Sequence, residues 1–126
     1  MAELRYENIG DYFYPQLPLK LKYGSNEVEV FGLLDSGALR SLFNFGIAAS
    51  LGLDVESGIK ETIQGINGKI NIFAHELEIE AAGKKFKTKI AFSKEFTSSF
   101  NIIGRLGFFE HFVITFDDEN KIFYIN

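Results

Sequence analysis

Apolar and polar residues alternate along Leu19-Lys20-Leu21-Lys22-Tyr23 and again along Val28-Glu29-Val30, with Gly24-Ser25-Asn26 between them. A period of two on both sides of such punctuation predicts a β-hairpin. The second strand turns apolar from Phe31 to Leu34, interrupted by Gly32, as a strand does on entering a core, and stops at Asp35-Ser36-Gly37. An acid, a hydroxyl and a glycine thus share a turn at the end of a buried strand. Asn44 is placed to cap a short helix whose positions Ile47, Ala48 and Leu51 fit the 3.6-residue period, with Gly52 beyond its end. Ile59 to Phe73 carries Gln64-Gly65-Ile66-Asn67-Gly68-Lys69 at its middle, which predicts a long hairpin. Leu77 to Glu80 and Phe86 to Ile90, around Ala82-Gly83-Lys84, form another alternating pair. Phe100 to Ile103 is a short apolar run closed by Gly104. Leu106 to Phe112 suits a helical turn or two, and Val113 to Phe116 and Lys121 to Ile125 read as strands around Asp117-Asp118-Glu119-Asn120. Residues Met1 to Tyr14 show no clean period, so 1–17 are expected as an N-terminal extension and 18–126 as one domain.

Composition narrows the class. The chain has 126 residues, 46% hydrophobic, which suits one domain with a real core. Fourteen Phe and five Tyr with no Trp suggest a sheet protein packed with large rings. With no cysteine, a disulfide scaffold, a thiolate zinc site and a cysteine nucleophile are all excluded. A net charge of -4 argues against tracking nucleic-acid phosphates. Glu3, Arg5, Glu7 and Asp11 interrupt the start, and no apolar run reaches the about 7 to 15 residues of a secretory signal, so a cytoplasmic protein is expected. No stretch approaches the about 18 apolar residues of a membrane span, so no membrane partner is expected either.

A carboxylate at the end of a buried strand must find a partner or take up a proton, which makes Asp35 the first candidate for chemistry. In order along the chain stand Leu33-Leu34 before Asp35-Ser36-Gly37-Ala38, the glycine hairpin about Gly65 to Lys69, Ile102-Ile103-Gly104-Arg105, and Ile114-Thr115-Phe116-Asp117. From about Pro18 to Ile125 this set resembles the retroviral-type (retropepsin-like) aspartic protease family. Single-domain cellular members are the nearer match, because Phe43 to Leu53, ending in Leu51-Gly52-Leu53, looks like their helix after the catalytic loop.

The resemblance implies an all-β, retropepsin-like lobe: a closed barrel-like sheet with a flap hairpin and one or two short helices, active as a symmetric homodimer. It implies an aspartic endopeptidase with one Asp35 from each chain, Ser36 hydrogen-bonding across the dimer, and Gly37 allowing close backbone approach. Ala38 and the flap residues Gly65, Ile66, Asn67 and Gly68 would bind an extended peptide, without metal or cofactor. A peptide- or protein-binding homodimer on the same fold, without catalysis, is the alternative. Two departures stand out. Leu39 occupies the position where the family often has an Asp paired with the helix arginine, leaving Arg105 to Glu110, Asp117, another loop carboxylate or solvent. Ala38 stands where pepsin-like lobes often have a Ser bonded to the carboxylate, which predicts an optimum of about pH 5 to 6.5, less acidic than pepsin's.

The other polar groups carry less. Arg40 and Ser41 follow the turn, placed to shape a pocket or to cap the helix. His75 and His111 lack an acid at metal-ligand spacing and read as surface or satisfied interior imidazoles. Asp117-Asp118-Glu119 lacks the ligand spacing of a calcium loop and reads as a β-turn. Lys84, Lys85, Lys87 and Lys89 read as edge protection on a strand. Lys121 to Ile125 reads as an apolar edge that a second chain could cover.

Overall fold

In the computed structural model, residues 1–65 and 68–126 are described. Strand β1 (Ala2–Arg5) is followed by a small hairpin, β2 (Glu7–Ile9) with β3 (Tyr12–Tyr14), and by the long pair β4 (Gln16–Tyr23) and β5 (Asn26–Leu34). Then come β6 (Leu42–Phe43), helix α1 (Phe45–Ser50), β7 (Ile59–Gly65), β8 (Gly68–Ala81), β9 (Lys84–Phe92), β10 (Ile102–Ile103), β11 (Ile114–Asp117) and β12 (Ile122–Ile125).

The main sheet runs β4-β5-β10-β6-β9-β8-β7, and β4 also pairs with β8 through Lys20↔Glu80, Leu21↔Ile79 and Lys22↔Glu78. That second pairing closes six strands into a ring, leaving β7 attached outside it. The alternation on β4 and β8 drives the closure. Leu17, Leu19 and Leu21 point inward from one strand and Leu77, Ile79 and Ala81 from the other, meeting Phe43, Phe92, Ile103 and Phe108 in the core. Burying such side chains contributes about 1.5 to 3 kcal/mol each. Across β8 and β9 the lysines face acids, Glu76↔Lys89, Glu78↔Lys87 and Glu80↔Lys85, an opposite-charge ladder that fixes register. The tight turn between them places both Ala82 and Gly83 at positive φ.

Helix α1 ends as the sequence predicts. Gly52 has φ +73, its N–H bonds to Ala49 O, and Leu53 N–H bonds to Ala48 O, a Schellman closure. Its start differs. Asn44 is at the N-cap position, but its side chain bonds to Asn101 instead of to a helix N–H. The expected turns in Leu106 to Phe112 shrink to one 3-10 turn, Phe109–His111, because Gly107 at φ +81 breaks the helical path before it. Among the described residues no helix is long and apolar enough to cross a membrane.

Residues 1–14, which carry no clean period, nonetheless enter the fold. β1 pairs with β12 along its whole length, Tyr6 N–H bonds to Lys121 O, and the Tyr6 ring is buried against Phe123. β12 is therefore flanked by β1 on one edge and β11 on the other, so Lys121 to Ile125 is not the uncovered edge expected from its sequence.

The Tyr6 hydroxyl donates to Asp118 Oδ1 at 2.5 Å. Burial, followed by that hydrogen bond, pushes the phenol above its ordinary value of about 10. Below that value Tyr6 is neutral whether folded or not, and its contribution to stability is complete. As pH rises past it, the unfolded chain ionises first and the contribution is progressively lost. Tyr6→Phe should cost about 1 kcal/mol at neutral pH and give a melting temperature that falls less steeply than wild type above about pH 10. Parallel pH dependences for the two proteins in thermal melts would contradict this account.

Candidate active site

β5 delivers Asp35 to the end of the barrel, and backbone hydrogen bonds hold the turn on both flanks. Leu34 N–H bonds to Pro15 O at 3.0 Å on the β4 side, and Asp35 N–H bonds to Ile103 O at 3.0 Å on the β10 side. β10 runs parallel to β5, with Ile102↔Leu33 and Ile103↔Leu34, so two short apolar segments fix the carboxylate's position. The turn then closes on itself through Ala38 N–H to Asp35 O, 3.1 Å, and Gly37 N–H to Asp35 Oδ1, 2.9 Å. Asp35 is half-buried, with one carboxylate oxygen oriented by a backbone amide. Ser36 is exposed and its hydroxyl makes no hydrogen bond among the described residues.

Three residues outside the tripeptide hold this arrangement. Asn101 is buried, and its Oδ1 accepts from both the backbone and side-chain N–H of Asn44 while its Nδ2 donates to Phe31 O at 2.9 Å. It thereby ties β5 to the entry of α1. Buried Ser41 receives Gly104 N–H on its Oγ at 3.0 Å, joining the loop after Asp35 to the end of β10. Gly104 itself lies against the Arg40 backbone, where a Cβ would come within 2.4 Å of Arg40 O. The sequence signal for Asn101 was available: an amide inside the apolar run Phe100 to Ile103 must find partners when buried. Ser41 gave no comparable signal.

Arg105 contributes its N–H to Ala38 O at 2.9 Å, but among the described residues its exposed side chain has no hydrogen bond or ion pair. The paired arginine is Arg40. Its Nε donates to both carboxylate oxygens of Glu61 on β7, at 3.0 and 3.1 Å, linking the loop after Asp35 to the hairpin. That hairpin pairs from Ile59↔Ala74 to Gly65↔Gly68, with Gly68 at φ +108. Its base is anchored where Ile72 packs on Leu42 and Ala91, joined by Ile63, Ile70 and Phe96. Ile66 and Asn67, expected at the tip, lie outside the described residues.

A cavity of about 410 Å³ lies between the β7–β8 arm and the loop beside Asp35, with Arg40, Ser41 and Leu106 on one side and Ile59, Glu61 and Ile72 on the other. A larger one, about 510 Å³, opens between β4, β5 and the Ala82-Gly83 turn and includes no residue of the Asp35 turn. The remaining candidates are structural. His75 is buried with Nε2 2.7 Å from Val55 O, and His111 stacks on Phe86 with centroids 4.0 Å apart. Asp117 accepts from the side chain and backbone N–H of Asn120, which lowers its carboxyl below the usual range and shapes a turn.

A closed β-barrel with an Asp-Ser-Gly turn at the end of β5, parallel β10 beside it and a long hairpin alongside is a retropepsin-like fold. Among solved structures, the chain is similar to the EIAV protease complexed with the inhibitor HBY-793, with a TM-score of 0.59 and 22% identity over 79% of this chain and 88% of that one. No protein-family model and no curated protein matches the chain.

Proposed function

We propose that this chain is an aspartic endopeptidase acting as a symmetric homodimer in which Asp35 of each chain completes one site. The observation that carries the reading is the placement of a half-buried carboxylate on a rigid turn, one oxygen oriented by Gly37 N–H and the turn fixed on both flanks. A lone carboxylate cannot act as base and acid in the same step, which is why a second Asp35 is required. Brought close together, the two share one proton, because both cannot remain charged at that separation.

The ionised carboxylate takes a proton from water as the water oxygen adds to the scissile carbonyl carbon. The protonated one donates to the carbonyl oxygen, giving a tetrahedral diol. Proton transfer to the nitrogen then lets the C–N bond break, and the shared proton is restored. Ser36, exposed at the turn, hydrogen-bonds the partner's turn, and Gly37 and Ala38 leave room for an extended peptide. The β7–β8 hairpin, with Gly65 and Gly68 absorbing its motion, covers the peptide and excludes water, and Gly65, Ile66, Asn67 and Gly68 contribute to holding the peptide. Apolar residues flanking the cut are preferred. The absence of a metal or cofactor requirement and a cytoplasmic location belong to the same reading.

The test is digestion of a diverse peptide library by concentrated protein and by Asp35→Asn, with cuts read by mass spectrometry. Wild type should cut, with a maximum at about pH 5 to 6.5 and loss on both sides as the shared proton is removed or a second is added. The variant should lose at least about a thousandfold, as expected when a base and an acid are removed together. Peptide binding without cleavage by a folded wild-type dimer would make the chain a binding module instead. Equal cutting by both proteins would move the chemistry away from Asp35, and a maximum below about pH 4 would contradict the shared-proton account.

A further inference from the structure

Two exposed apolar patches flank the Asp35 turn, on different elements. On the β4 side, the β2–β3 hairpin presents Ile9, Tyr12 and Phe13 at 39%, 68% and 48% exposure. It is rooted at Tyr14, whose ring packs on Phe100 at 4.7 Å, and at Pro15, which bonds to Leu34 one residue before Asp35. On the β10 side, Leu39 and Leu106 are 57% and 41% exposed and adjacent, with Leu106 N–H bonded to Leu39 O. Together with Arg105, Phe109 and Glu110 they line a cavity of about 420 Å³, room for an aromatic ring. Charge complements shape: Arg105 at this socket has no side-chain partner among the described residues, and the hairpin carries Glu7 and Asp11. In the main sheet β5 lies between β4 and β10.

We propose that the β2–β3 hairpin of one copy seats Tyr12 and Phe13 in the Leu39–Leu106 socket of a second copy, reciprocally, so that this exchange clamps the homodimer. The inference rests on the two-chain reading of Asp35. Two carboxylates sharing a proton lie within hydrogen-bond distance, about 3 Å or less. A three-residue strand reaches about 10 Å, so a hairpin whose root, Pro15, is hydrogen-bonded to the residue before Asp35 falls within the footprint of any chain that close. A twofold axis at Asp35 brings patches on its two sides onto each other, residue i to j and j to i. The terminal strand offers no competing solution through β12, since both its edges are occupied within the chain.

The chain has no cysteine, so single-cysteine variants report contacts without background. Tyr12→Cys and Leu39→Cys are mixed, oxidised and compared with each alone. In parallel, Leu39→Glu and the double variant Tyr12→Ser with Phe13→Ser are followed by sedimentation across concentration, with circular dichroism to verify folding. The mixture should cross-link more than either variant alone, and both surface variants should raise the dimer dissociation constant at least about tenfold, as loss of aromatic anchors does. If wild type dimerises and cleaves while the variants dimerise equally well, the clamp is wrong and the two-chain site stands. Self-cross-linking of Tyr12→Cys exceeding that of the mixture would also overturn the exchange, by placing hairpin on hairpin. A wild type that stays monomeric at high concentration would overturn both the clamp and the two-chain reading.

Discussion

Deleting residues 121–126 is expected to unfold the chain, not to separate folded subunits. β12 is the middle strand of the β1-β12-β11 sheet, so its loss leaves two strands with no partner. It also withdraws Phe123 and Ile125, at 0% and 1% exposure, from the main core, together with the Tyr6 packing that Phe123 supports. Truncating a buried Phe costs about 3 to 5 kcal/mol and a buried Ile about 2 to 5 kcal/mol. The sum rivals the whole stability of a small domain, about 5 to 15 kcal/mol. The single change Phe123→Ala isolates part of this effect and should lower the melting temperature by roughly 10 to 20 °C. Far-UV circular dichroism and a thermal melt decide the matter. A truncated chain that melts cooperatively near the wild-type temperature would show that the terminal sheet is dispensable.

The misreading of that strand shows where sequence legibility stops. Ile122-Phe123-Tyr124-Ile125 is an apolar run whether it lies at an edge or in the middle of a sheet, because the difference resides in its neighbours. Its partner β1 is only four residues long, with Ala2 and Leu4 inward and Glu3 and Arg5 outward, too short an alternation to stand out. Hairpins were legible for the opposite reason. Gly24 and the Ala82-Gly83 turn punctuate long period-two strands, so turn and pattern point to the same register. The ring closure through Lys20 to Lys22 and Glu78 to Glu80 was not legible, since it joins strands far apart in sequence whose alternation says which face is buried but not against what. The candidate site divides in the same way. Its acid turn announced itself at the end of an apolar strand, whereas the bonds from Asn44 and Gly104 to Asn101 and Ser41 arise from contacts between distant segments. Asn44 illustrates the competition: a residue suited to cap a helix found a buried amide partner instead.

The sharpest consequence of those distant contacts concerns Gly104. An added methyl there meets Arg40 O at 2.4 Å, Arg40 C at 2.5 Å and Arg40 N at 2.9 Å, all backbone atoms with no rotamer to change. Gly32 is a useful contrast, since its methyl would meet Ile103 Cδ1 and Cγ1, side-chain atoms and not backbone, an overpacking that costs about 1 to 3 kcal/mol. Gly104→Ala must instead push the loop after Asp35 away from β10. That separation strains three hydrogen bonds together: Gly104 N–H to Ser41 Oγ, Arg105 N–H to Ala38 O, and Leu106 N–H to Leu39 O. At about 1 kcal/mol each, added to the steric term, the expected loss is about 3 kcal/mol or more. On the proposed reading the catalytic effect is larger than the stability effect, because the displaced segment carries the turn that presents Asp35, and a misplacement of about 1 Å can cost about a hundredfold in rate. Gly104→Ala should therefore melt well below Gly32→Ala. Assayed at a temperature where it is still folded, it should also lose peptide cleavage by about a hundredfold or more. A variant that melts within 2 °C of wild type, by the same order-of-magnitude scale, would mean that β10 and the Asp35 loop can part without strain, and that the rigid seating of the carboxylate does not depend on this contact.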